Sequence, residues 1–293
     1  MAKDGHLSAV MRRLIFVSFF VLMPYTAVAQ ISGGTLIVFG ISRDKAVIAA
    51  DSRGLIKGRP PIDHECKITA LGTRLLFTES GTAEDIHTVD VSKNWSSARE
   101  ASRAFETFQK SNAGTDPIDQ VSSIWLISME KMYSELLRTM QQEILANPGN
   151  KLITSVFVGL DAGGHIKARR IVIRFDRAAE ESGTPKLSVD NKLWDVTNDM
   201  DFKAIGHTEI SDEFVFKTSE RAKIDAQHFA LELRNHPGED LDALIAIHLV
   251  DVSETYAPTE FGIGGPIDVA EIFPNTGVQW IHRKPECPAD GVN

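Results

Sequence analysis

Cysteine is nearly missing from this chain: there are two, Cys66 and Cys287, among 293 residues. That excludes a disulfide-dense scaffold and a cysteine-built metal centre. The two are far apart in sequence, and one disulfide or two buried thiols both remain compatible with it. Histidine offers no substitute for metal binding. His64, His87, His165, His228, His236, His248 and His282 are scattered over loops and helices without ligand spacing, so no metal is expected. Positive charge is also short, with 31 Lys and Arg against 40 Asp and Glu and a formal net charge of -9. This removes the basic footprint on which nucleic-acid binding depends. A membrane-spanning run is missing too: the longest apolar stretch, Leu14 to Val28, is short for a span of about 20 residues and has Pro24 inside it. No internal repeat or low-complexity segment is visible.

What is present is an ordinary globular composition, 43% hydrophobic and 24% charged, with length for one large domain or two small ones. The first 29 residues read as an export signal: Met11-Arg12-Arg13 is a positive start, Leu14 to Val28 the apolar region, and Ala27-Val28-Ala29 a small-x-small cleavage site before Gln30. Met11 is a better start than Met1 for such a signal. Residues 30–34 then form a short propeptide, 35–282 one domain, and the polar, proline-containing segment 283–293 a frayed tail.

Two apolar runs, Leu36 to Ile41 and Ala46 to Ala50, read as a buried hairpin around the polar break Ser42-Arg43-Asp44-Lys45. Thr35 opens it after two glycines, and Asp51 closes it; antiparallel pairing brings these ends together. Arg59-Pro60-Pro61 stiffens the loop that follows. Lys67 to Leu71 and Arg74 to Thr78 form a second hairpin. A helix is expected from about Ala83 to Lys110, capped by Thr82, and a second from Ile118 to Asn147, started by Pro117 and stopped by Pro148-Gly149-Asn150. The Met and Trp content of the second helix reads as core packing. Leu152 to Leu160 and Ile166 to Phe175 are paired strands, and Ala178 to Lys192 is an exposed loop or irregular hairpin. Asp201 to Ile205 is a short strand, Ser211 to Arg234 one helix, and Asp240 to Glu254 another. Ile267 to Phe273 and Thr276 to His282 are the last strands. Blocks of apolar strands alternating with helix pairs predict an α+β chain, a four-layer αββα sandwich of two antiparallel sheets flanked by helices.

The element order and the first residues after the signal resemble the proteasome β-subunit family of N-terminal-nucleophile (Ntn) hydrolases, to which the bacterial protease subunit HslV is related. Ala46-Val-Ile-Ala-Ala-Asp51-Ser-Arg53 is similar to the family's second strand and following loop. Gly34-Thr35 is similar to its processing junction, where cleavage makes the threonine a new N-terminus. Without a gap, Lys67 falls on the catalytic lysine and Gly81 on the glycine whose N–H serves the oxyanion hole. Arg53 matches an arginine near the site, and Gly264-Gly265 a later glycine pair. Two positions depart from the pattern: His207 follows Gly206 where the family has serine, and Glu260-Phe-Gly-Ile263 replaces an Asp-x-x-Ser element, so that Glu260 keeps the carboxylate and Ile263 lacks the hydroxyl.

These residue types suit acyl transfer. A threonine hydroxyl needs a base within reach, and a freed α-amine, with a reference pKa of about 7.7–8, supplies one near neutrality. A lysine cation beside it lowers that pKa, and Asp51 holds the lysine. Each residue also has a plainer reading: a strand-opening threonine, a loop-capping carboxylate, an ordinary ion pair, a turn glycine, a packing arginine. The resemblance implies a threonine peptidase or amide hydrolase without a cofactor, acting on a peptide or amide substrate. An inactive proteasome-like scaffold and a small-molecule amidohydrolase of the same fold are the alternatives. Export to the periplasm or beyond removes ATP and with it any ATPase partner; assembly into a ring or dimer stays open.

Overall fold

The computed structural model describes residues 35–55, 60–81, 84–85, 95–111, 116–145, 151–176 and 186–287. The leader, the propeptide with Gly34, and the stop at 148–150 lie outside them. Among the described residues the chain is mixed α+β, with two five-stranded antiparallel sheets, a two-stranded ribbon and five α-helices.

The first sheet is centred on the expected hairpin. Strands β1 (Leu36–Ile41) and β2 (Ala46–Ala50) are buried at every position, as two-faced apolar runs require. Strand β10 (Asp201–Gly206) flanks β1, and β11 (Asp268–Phe273) and β12 (Gly277–His282) follow β2, giving the order β10-β1-β2-β11-β12. The second sheet has the order β3-β4-β7-β8-β9, from β3 (Ile68–Ala70), β4 (Leu75–Gly81), β7 (Lys151–Leu160), β8 (Ile166–Asp176) and β9 (Lys186–Leu193).

Three apolar clusters hold these pieces. Ile37, Phe39 and Ile48 of the first sheet meet Leu76, Val156 and Val158 of the second between the sheets. Helices α1 (Ser97–Ser111) and α2 (Pro117–Leu145) cover the other face of the second sheet, where Trp125 and Phe157 stack around Phe77. Helices α3 (Glu209–Phe216), α4 (Glu220–Glu232) and α5 (Leu241–Tyr256) cover the first sheet through Phe214, Ala246 and Val250. A helix–sheet–sheet–helix sandwich is compatible with these clusters. Each fully buried Leu, Ile or Phe contributes about 1.5–3 kcal/mol.

Four expectations are corrected. Where a helix is expected from Ala83, Glu84–Asp85 (β5) pairs with Trp95–Ser96 (β6), Trp95 packs edge-on against Tyr133, and the described helix is Ser97–Ser111; residues 82–83, with the expected Thr82 cap, and 86–94 lie outside the described residues. The single helix from Ser211 to Arg234 is two. Lys217 turns left-handed at φ 51°, and the Ser219 hydroxyl accepts from Ala222 N–H to start the second. The polar stretch before Lys192 contains the edge strand β9, whose Asp190 pairs with Arg170 of β8 at 2.7 Å; charged side chains suit an edge. The tail does not fray at its start. Cys287 is disulfide-bonded to Cys66, and Lys284 is buried, which fixes 283–287 against the domain.

Candidate active site

The hairpin ends come together as antiparallel pairing demands. Leu36 N–H donates to Asp51 Oδ1 at 2.9 Å, and Asp51 N–H to the Leu36 carbonyl at 3.2 Å. Thr35 is thereby fixed at the mouth of the first sheet, 7% exposed. Its carbonyl accepts from His207 N–H at 3.0 Å across β10. The contact requires glycine at 206: φ is +98°, and a Cβ there would lie 1.8 Å from the Thr35 oxygen and 3.1 Å from Ser80 Oγ. That places the Ser80 hydroxyl near the Thr35 carbonyl.

Lys67, the last residue before β3, projects into this corner. Its Nζ lies 2.8 Å from Thr35 Oγ1, 3.1 Å from Asp51 Oδ1 and 2.5 Å from the Arg53 carbonyl. Three oxygen acceptors match the three protons of an ammonium. Asp51 is fully buried and receives four donors: Leu36 N–H, Lys67 Nζ, Arg53 N–H at 3.3 Å and Gly264 N–H at 3.0 Å. That is the surrounding an ionised carboxylate needs.

Burial works against both charges. It pushes the Lys67 ammonium below the ordinary lysine range, against the pull of Asp51 and Glu65. It also pushes Asp51 above the ordinary aspartate value, against Lys67 and the Leu36 and Gly264 N–H groups. An ion pair alone shifts both groups the other way, so desolvation outweighs attraction here. Lys67 therefore gives up its proton more readily than a surface lysine.

The loops around Asp51 are tied to one another. Arg53 forks onto Asp63, with Nε at 2.6 Å and Nη2 at 3.1 Å, and Nη1 donates to the Ile263 carbonyl at 3.2 Å. Ser52 N–H donates to the Gly264 carbonyl at 3.0 Å. Gly264 has φ +150°, and a Cβ there would lie 2.6 Å from the Arg53 guanidinium and 2.8 Å from Glu254 Oε1.

Of the residues expected from the sequence, Thr35, Asp51, Lys67 and Arg53 form one contact network. Gly81 ends β4 at φ +116°, opposite Ile153. His207 contributes its backbone, while its ring stacks on Phe261 with centroids 4.4 Å apart. Glu260 is exposed on the turn Thr259–Phe261, and among the described residues no contact joins it to Thr35. Besides Asp51 at Gly264, a second carboxylate meets the glycine pair: Glu254, which accepts from Gly265 N–H at 3.3 Å and is raised above the usual glutamate value by burial. Helical spacing was its only signal: it lies four residues after Val250, on the buried side of α5. Among the described residues no carboxylate or imidazole touches Thr35 Oγ1, and no group of three or more His, Cys, Asp or Glu is placed to hold a metal ion. No protein-family model and no curated protein matches the chain.

Proposed function

We propose that the chain is an exported, proteasome-like Ntn hydrolase of αββα architecture, with Thr35 as its nucleophile once the Gly34–Thr35 bond is cut. The observation that carries the reading is the buried contact of Thr35 Oγ1 with Lys67 Nζ at 2.8 Å, with Asp51 behind the lysine. Lys67 as an ammonium donates to Oγ1 and is therefore not its base. That leaves the Thr35 hydroxyl proton for the α-amine which cleavage would create on the same residue.

In the reaction, Oγ1 attacks the carbonyl carbon of a peptide or other amide, and its proton passes to the α-amine. The developing oxyanion meets the Gly81 N–H, a donor of a kind that contributes roughly 3–4 kcal/mol elsewhere. Collapse expels the amine, which takes the proton, and leaves an ester on Thr35. Water activated by the same α-amine then hydrolyses the ester. Lys67 lowers the pKa of that amine by charge repulsion and keeps it neutral near pH 7. The Cys66–Cys287 disulfide agrees with an oxidising compartment, where an ATPase partner has no fuel.

The intact mass of the exported protein tests this. The expected mature chain begins at Thr35, and Thr35→Ala leaves the preceding residues attached. A chain that begins at Gln30 and is unchanged by Thr35→Ala sinks the enzyme reading in favour of a scaffold. Fluorogenic peptides compared with simple acylated amines then separate a peptidase from a small-molecule amidohydrolase.

A further inference from the structure

Lys67 has weak support from its own strand. β3 has three residues, lies at the edge of its sheet, and begins at Ile68, one residue after the lysine. The segment ahead of it is tied on one side to residues 52–54, where Glu65 N–H donates to the Ser52 carbonyl at 2.9 Å and Gly54 and Ile62 exchange backbone hydrogen bonds, and on the other side to the far end of the chain. Cys66, the neighbour of Lys67, is bonded to Cys287 across 221 residues. Lys284, 6% exposed, donates from Nζ to the Glu65 carbonyl at 2.9 Å. The same Nζ is paired with Asp268, which is 1% exposed and also accepts from Lys284 N–H at 2.9 Å. Asp268 opens β11 opposite Ala50, the residue before Asp51. Arg283 closes the turn by donating to the Cys287 carbonyl at 3.0 Å from Nε and 2.6 Å from Nη2.

We propose that the Cys66–Cys287 disulfide and the buried Lys284–Asp268 pair form a clasp that positions Lys67, so that the Thr35 site is complete only after the disulfide has formed. The proposal rests on the reading of Lys67 as the residue that serves Thr35. Closing the clasp oxidises two thiols to one disulfide, and the two protons and two electrons pass to a thiol–disulfide oxidant of the compartment. Cys66 is half-buried and Cys287 is 2% exposed, so an oxidant or reductant reaches the bridge from the Cys66 side. An enzyme built this way stays idle in a reducing cytoplasm and matures after export. Lys284 is a positioning residue with a second effect: after burial, its charge is among the influences that lower the proton affinity of Lys67, alongside the opposing pulls of Asp51 and Glu65.

The test compares oxidised, reduced and reoxidised wild-type protein. Cleavage at Gly34–Thr35 is read by intact mass, hydrolysis with a fluorogenic peptide, folding by thermal melt, and the Lys67 titration by side-chain NMR of labelled lysine. Reduced protein that still melts cooperatively should cleave and hydrolyse about tenfold to a hundredfold more slowly, as misplacement of a catalytic group by about 1 Å does. Its Lys67 should titrate at higher pH, and reoxidation should restore both. Unchanged rates together with an unchanged Lys67 titration in reduced, folded protein overturn the clasp. Should reduction unfold the chain, the double variant Lys284→Met/Asp268→Asn decides with the disulfide intact. The clasp predicts slower turnover and a pH–rate profile displaced to higher pH, and a profile matching wild type overturns it. Oxidised wild type without any cleavage or hydrolysis removes the proposed function instead, and the Lys67 titration in the two redox states still decides the clasp.

Discussion

The β1–β2 hairpin has a buried lysine near each end, and the two are opposite in character. At the turn end, Lys45 is surrounded by carboxylates: Asp240 at 2.5 Å, Asp242 at 2.8 Å and Glu271 at 3.5 Å. Burial lowers its proton affinity, but the hydrogen bonds it donates to Asp240 and Asp242, with their charges, outweigh that and hold it above the ordinary lysine value. At the open end, Lys67 shares one carboxylate with three other donors and touches a hydroxyl, and burial wins. The first environment fastens α5 to the sheet through a lysine that faces three carboxylates. The second sets a lysine against one carboxylate, a carbonyl and the Thr35 hydroxyl, an arrangement that agrees with the proposed chemistry. Burial alone does not mark a functional lysine; the nature of its partners does.

The sharpest way to test this contrast is Lys67→Met beside Lys45→Met. Lys67→Met should lower hydrolysis by about a thousandfold or more, since it removes the charge that keeps the amine neutral and the donor to Thr35. It should also cost about 3–5 kcal/mol, because Asp51 is left buried without its cation. Lys45→Met should cost about 2–4 kcal/mol in denaturant melts for the same reason and leave kcat/KM within about twofold. Equal losses of activity in the two variants would erase the distinction.

Gly206→Ala comes next. A methyl group 1.8 Å from the Thr35 carbonyl at φ +98° must displace Thr35, so activity should fall by about a hundredfold and stability by about 1–3 kcal/mol. Kinetics on the folded variant, with a melt as control, check both.

The pH dependence of stability separates the lysines by sign. Lys45 has a raised folded value, so its contribution is complete below the ordinary 10.5 and is lost as pH rises through the raised value. Lys67 has a lowered folded value, so the folded protein sheds that proton before the unfolded chain does, and stability rises with pH from the lowered value up to 10.5. In melts from about pH 8 to about pH 11, the wild-type advantage over Lys45→Met should shrink at the alkaline end. The advantage over Lys67→Met should grow. Hydrolysis should fall on the alkaline side as Lys67 loses its charge.

The smallest effects concern the two glutamates. Glu254→Gln should slow hydrolysis about threefold to tenfold by loosening Gly264–Gly265 around Arg53, whereas exposed Glu260→Gln should stay within about twofold of wild type. A larger effect at Glu260 would restore the role its place in the sequence suggests.

Much of this was legible before folding. Leu36–Ile41 and Ala46–Ala50 are strands at the bounds their apolar runs mark, because uninterrupted apolar runs of that length flanked by polar turns have few other solutions. Thr35 and Asp51 were brought together by the hairpin, Lys67 was added by the family resemblance, and the three do meet. Glu254 was hidden because a single glutamate on a helix looks the same whether it faces water or a glycine loop. Trp95 and Ser96 are strand and not helix because the β5–β6 pairing and the Trp95–Tyr133 contact override local helical composition.

The sequence by itself determined the buried hairpin, the apolar faces of α2 and α5, and the types of residue at the candidate site, since periodicity and side-chain chemistry are local properties. Only the tertiary structure decided which lysine meets a hydroxyl and which meets carboxylates. It also decided that Cys66 finds Cys287 and that the final segment returns to grip the residues before Lys67. Those outcomes depend on which distant surfaces share a dry interior, where a charge must find its partner or change its protonation, and no stretch of chain carries that information alone.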